Sequence, residues 1–208
     1  MAPLISLDQN FPADDFRSLA HVQSPDPRHN AFLRKGIETY HAHLNGLILN
    51  PSVPADVRVG FDTARNLLLY SFYVYRFSTV ARFQAYAVLE NAIKLRARND
   101  PSAKFRGLKQ CIDYALKQKW FRDDGVRQYL RLAKIRDDSS YLFMDENAPP
   151  PNVVNAPDAW IQRIKESFPG IRNGIAHGTP LLLGGDFTVL EMCCDLVNQL
   201  FPAHPTHK

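Results

Sequence analysis

Phe187, Leu190, Cys194, Val197 and Phe201 recur at spacings of 3, 4, 3 and 4. That rhythm lines five apolar side chains along one stripe of a helix. A strand, whose side chains repeat every second residue, would scatter them over both faces. Pro202 ends the stripe. The helical period governs Val80, Phe83, Ala87, Val88, Ala92 and Leu95 as well, and again Phe105, Leu108, Ile112, Ala115 and Leu116. No alternating stretch, internal repeat or glycine-rich phosphate loop competes with this pattern. The chain therefore reads as all-α, a helical bundle.

Punctuation residues divide the rest. A helix is expected over about 30–48, from Asn30 as N-cap to the Asn50-Pro51 stop. Asp56 opens a long apolar and aromatic region that runs to Arg98, with Ser78-Thr79 as the expected break between two helices. Asn99 to Ser102 reads as a turn. A further helix is expected over about 123–136, followed by a proline-rich loop from Asp145 to Pro157. Asp158 can cap a helix that carries Trp160, Ile161, Ile164, Phe168 and Ile171, with a kink or break at Pro169-Gly170. The first thirty residues and the tail from His204 to Lys208 read as irregular.

At 208 residues, one domain with an N-terminal extension is expected. The start of the chain has neither a basic n-region nor a long apolar h-region. The apolar run Leu67 to Tyr75 lies between Arg65 and Arg76, far short of a membrane span. It is expected as a buried helix. Cys111, Cys193 and Cys194 match neither a disulfide framework nor a zinc spacing. They are expected as core thiols in a cytoplasmic protein. His41 and His43, two apart, do not face one another on a helix. No metal site and no cofactor is expected.

Charge is uneven along the chain. Residues 94–136 hold 13 Lys and Arg against 4 Asp and Glu, while residues 137–208 hold 4 against 9. A basic middle third suits a polyanionic partner, RNA first, through Lys104, Arg106 and Lys109. A solvated helical face explains the same charges equally well.

The chemistry concentrates in Arg172-Asn173-Gly174-Ile175-Ala176-His177-Gly178. Arginine clamps a phosphate and histidine moves a proton near neutral pH. Asn173 lies four residues before His177, so both occupy one helical face. Arg34 and His41 satisfy the same loose spacing, but on a helix expected to be peripheral.

An arginine, then a polar residue, then a short spacer ending in histidine resembles the signature of the HEPN superfamily, all-α domains of which many are ribonucleases. Arg172, Asn173 and His177 fill those positions, and Phe83 to Lys94 looks like the family's first core helix. The resemblance covers about residues 78–201, with residues 1–77 as an extra N-terminal helical segment. It implies a HEPN-like bundle over 78–208, a homodimer with two motifs in one cleft, and metal-independent cleavage of RNA. Arg172, Asn173 and His177 would be catalytic. A toxin or defence effector restrained by an antitoxin or regulatory protein fits the resemblance. So does a non-catalytic module that binds a nucleotide, an RNA or a protein. In a structural alternative, Arg172 pairs with Glu90 and ties two helices together.

Overall fold

The computed structural model describes residues 16–28, 36–131, 159–177 and 187–203. Six helices carry the architecture. They are α1 (Ile37–Asn45), α2 (Ala55–Tyr70), α3 (Phe77–Arg96), α4 (Leu108–Lys117), α5 (Ala159–Ala176) and α6 (Thr188–Leu200). Short 3-10 turns occupy Leu19–His21 and Asp123–Gly125, and residues 127–131 are helical. Among the described residues there is no strand.

The fold is organised around α3, which packs against α2, α4, α5 and α6. Small residues make this possible. Ala81, Ala85 and Ala92 are fully buried and admit close neighbours, while Tyr86, Leu89 and Ile93 fill the space between. One hydrophobic core runs from Leu44 to Leu200, and helices on both sides of position 77 contribute to it. Phe61 and Leu68 of α2 are as buried as Leu190 and Leu196 of α6. Each such side chain contributes roughly 1.5–3 kcal/mol of burial.

Several boundaries differ from the sequence expectation. α1 begins at Ile37, after Gly36 in an extended conformation, and not at Asn30; residues 29–35 lie outside the described set. The break between α2 and α3 falls at residues 71–76, before Ser78-Thr79, which are helical. The reason is a long-range contact. Asp26, fully buried, donates its amide to the Phe72 carbonyl at 2.9 Å and accepts from the Tyr75 amide at 3.3 Å. Leu67 to Tyr75 is consequently no single buried helix: it straddles the end of α2 and this turn. Phe72 and Tyr73 are half-buried, Tyr70 is exposed and Tyr75 is buried. Helix α5 passes through Pro169 without interruption. Only one backbone donor is lost there, and Pro169 itself is buried.

Residues 99–102 form the expected turn. Asp100 Oδ1 accepts the Ser102 amide at 2.8 Å and its hydroxyl at 2.6 Å. Helix α6 carries Leu190, Cys194 and Val197 of the predicted seam, with Phe187 and Phe201 as its two caps, and Cys193, Cys194, Leu196 and Val197 are fully buried. The loop over 145–157, Asp158, Arg34 and the histidines of the tail lie outside the described residues. No helix among the described residues is long and apolar enough to cross a membrane.

Candidate functional site

Helix α5 is laid along α3 and α4 by its apolar face. Phe168 meets Tyr86 edge-on, with ring centroids 4.8 Å apart, and Ile161 and Ile164 are buried. Lys165 Nζ pairs with Asp113 Oδ1 of α4 at 2.6 Å. These contacts fix the register that brings Arg172 over α3 one turn later.

Arg172 lies between Phe83 and Glu90. Its guanidinium carbon is 5.4 Å from the Phe83 ring centroid, and Nη2 is 4.0 Å from Glu90 Oε2. Nη1 donates to Asn173 Oδ1 at 3.2 Å, while the buried Nε has no hydrogen-bond partner among the described residues. Glu90 is shared. Lys94 Nζ, one turn on, approaches its other oxygen at 2.5 Å. The Glu90 side chain is 13% exposed, so a cationic partner is required, and Lys94 fills that need more closely than Arg172.

Asn173 and His177 are exposed. His177 stands one residue past the last helical residue, yet its amide still donates to the Asn173 carbonyl at 3.0 Å. The three motif residues thus share the C-terminal end of α5. Arg172 is half-buried and oriented, and Asn173 and His177 are open to solvent. Chemically, this end offers a positioned guanidinium, an amide and an imidazole.

Lys104, Arg106 and Lys109 are also exposed, the first two ahead of α4 and the third in its first turn. Among the described residues no ion pair or hydrogen bond joins them to Arg172. Other cations of the basic region are engaged internally. Arg96 caps the end of α6 by donating to the Gln199 and Leu200 carbonyls, and it stacks on Trp120 at 4.6 Å. Arg127 Nε donates to Asp195 Oδ1 at 2.8 Å, and Arg131 Nη1 pairs with Glu191 Oε2 at 2.9 Å. His43 Nε2 lies 2.7 Å from Glu191 Oε1, and its ring stacks on Phe187 at 4.1 Å. Burial pushes the Asp195 carboxyl upward, against the opposing pull of Arg127.

Sequence reasoning missed these pairs, because Glu191 and Asp195 sit within an apolar stretch. A signal was nonetheless present: two carboxylates inside a buried seam demand cations, and the basic region is the nearest supply. All three cysteines are buried and free. Burial pushes the Cys111 thiol up to about 12, aided by the negative charge of Glu90, and the Cys194 thiol up to about 11. Neither is a nucleophile near neutral pH.

No family model, curated protein or solved structure matches this chain.

Proposed function

We propose that the chain is a metal-independent endoribonuclease of the HEPN type, acting as a homodimer. The observation that carries this reading is the end of α5, where an oriented but incompletely bonded Arg172 stands beside solvent-open Asn173 and His177. The ribose 2′-hydroxyl attacks the adjacent phosphorus. Its proton passes to a base, the O2′–P bond forms, the P–O5′ bond breaks, and the leaving O5′ takes a proton. The products are a 2′,3′-cyclic phosphate and a 5′-hydroxyl. Arg172 binds the phosphate and the charge that grows on it. His177 transfers one of the protons, and Asn173 orients the imidazole or the phosphate. One imidazole does not serve both ends of the displacement at once. A two-fold axis through the cleft supplies the second histidine and arginine. The exposed Lys104, Arg106 and Lys109 attract the RNA backbone. Restraint by an antitoxin or regulatory protein is consistent with such an activity.

The assay is cleavage of mixed RNA in EDTA by wild type, His177→Ala and Arg172→Ala. Cleavage by wild type with about 100-fold or greater loss in both variants is expected. Activity that persists in the variants, or intact RNA with a well-folded dimer, counts against the proposal.

A second reading rests on the contact between Arg172 and Glu90. If that pair serves only to tie α5 to α3, the chain is a non-catalytic module binding a nucleotide, RNA or protein. Binding then survives His177→Ala and is lost on charge reversal at Lys104, Arg106 and Lys109.

A further inference from the structure

A cavity of about 280 Å3 lies between helices α1 and α2. Its polar lining comes from His41 and Asn45 of α1 and from Asp62, Arg65 and Asn66 of α2, over a floor of Leu44 and Leu69. A second hollow of about 340 Å3 shares His41 and Leu69 and is bounded by Ile37 and Glu38.

Arg65 is the fixed point of this site. Its Nε donates to the Leu44 carbonyl at 3.0 Å and its Nη1 to Asp62 Oδ1 at 2.7 Å. Two anchors set the guanidinium plane before any ligand arrives. Among the described residues, the amides of Asn45 and Asn66 and the ring of His41 make no side-chain hydrogen bond.

The chemistry of the lining narrows the ligand. Arg65 is offset by Asp62, and Glu38 stands at the adjoining hollow, so the described lining carries no net positive charge to select a phosphate. Each carboxamide offers a donor and an acceptor side by side. A neutral ring with alternating donors and acceptors on its edge satisfies both. The part-exposed Leu69 offers an apolar surface to the ring's face, and an imidazole such as His41 stacks on such rings. The volume is at the lower end of small-molecule pockets, which start near ~300 Å3. We propose that this cavity binds a nucleobase, either of a free nucleoside or of an unstacked nucleotide in RNA. Asn45 and Asn66 read its edge, and Leu69 supports its face. The site lies apart from the α5 motif and goes beyond the ribonuclease reading, since it requires no phosphodiester.

The test is a titration of the full chain, followed by amide NMR shifts, with adenosine, guanosine, cytidine and uridine. A parallel arm uses an uncleavable 2′-O-methyl oligonucleotide containing the four bases. Saturable shifts along α1 and α2 are expected with at least one probe. Asn45→Ala combined with Asn66→Ala weakens them about tenfold, the effect of one or two neutral hydrogen bonds. Both residues are exposed, and an unchanged circular dichroism spectrum confirms that the variant folds. Nucleoside binding assigns the site to free bases. Oligonucleotide binding alone, lost in the double variant, assigns it to bases within a strand. No saturable response to either probe into the millimolar range, or a response unchanged in the double variant, overturns the proposal. That failure would leave RNA cleavage at Arg172 and His177 unaffected, because cleavage is read from its products.

Discussion

Asp26 has no exposed surface, yet it carries a charge. Burial alone would raise its pKa. The hydrogen bonds and positive charge of Arg28, with the Tyr75 amide, outweigh burial and hold the carboxyl below its usual value of 3.8. Arg28 reaches it through Nε at 2.9 Å and Nη2 at 2.8 Å, and Arg17 approaches at 3.4 Å. The carboxylate thereby fastens residues 16–28 to the turn between α2 and α3. Because the folded pKa is depressed, this stabilisation is fully present above pH 3.8 and fades as pH falls through the folded value. Hydrogen exchange should therefore show residues 16–28 and 71–76 losing protection together in acid. Asp26→Asn should reproduce that loss at neutral pH and cost about 3 kcal/mol by chemical denaturation. An unchanged denaturation midpoint would contradict this account. The partnership was not legible in the sequence, where Asp26 lies between Pro25 and Pro27 and reads as part of a loop. The contact of Arg172 with Glu90 was legible, since a carboxylate inside an apolar helix needs a cation. Its closer partner Lys94, a single turn away, follows from helical spacing alone.

At the scale of elements, the extent of α6 was readable almost to the residue, because a seam of five apolar positions fixes the axis; that residues 189–197 are buried on every side was not. The break between α2 and α3 was not. Ser78 and Thr79 are weak helix formers, but tertiary packing overrides that preference, and Ser78 is buried within α3. Pro169 offers the opposite lesson. A proline inside a helix costs about 3 kcal/mol or more, yet Phe168 on Tyr86 and Lys165 on Asp113 hold α5 in place around it. Pro169→Ala restores the amide that the Lys165 carbonyl lacks. It should raise the melting temperature, with a gain of about 1–3 kcal/mol less the packing of the buried ring. Thermal circular dichroism checks this, and a lower melting temperature would mean that ring packing outweighs the missing hydrogen bond.

Across the whole molecule, the charge asymmetry along the chain is partly an internal pairing. Arg127 and Arg131 from the basic middle third meet Asp195 and Glu191 from the acidic last third. Removing Arg127 leaves Asp195, 8% exposed, without its principal cation. Arg127→Ala should destabilise the fold by about 1–3 kcal/mol, less than a fully buried pair because the arginine is itself partly in solvent. Urea denaturation measures the difference, and no shift in midpoint would show that solvent already screens the pair. Such a loss at a residue outside the Arg172–His177 motif would also lower any cellular output without touching chemistry, so activity should be compared per folded molecule.

The placement of α3 among four neighbours bears on how the protein comes apart. Each helix that leaves uncovers part of the same central rod, so partial opening exposes apolar surface wherever it starts. The backbone amides of α3 should then exchange with solvent only through global unfolding, and they would serve as an internal clock for the lifetime of the native state.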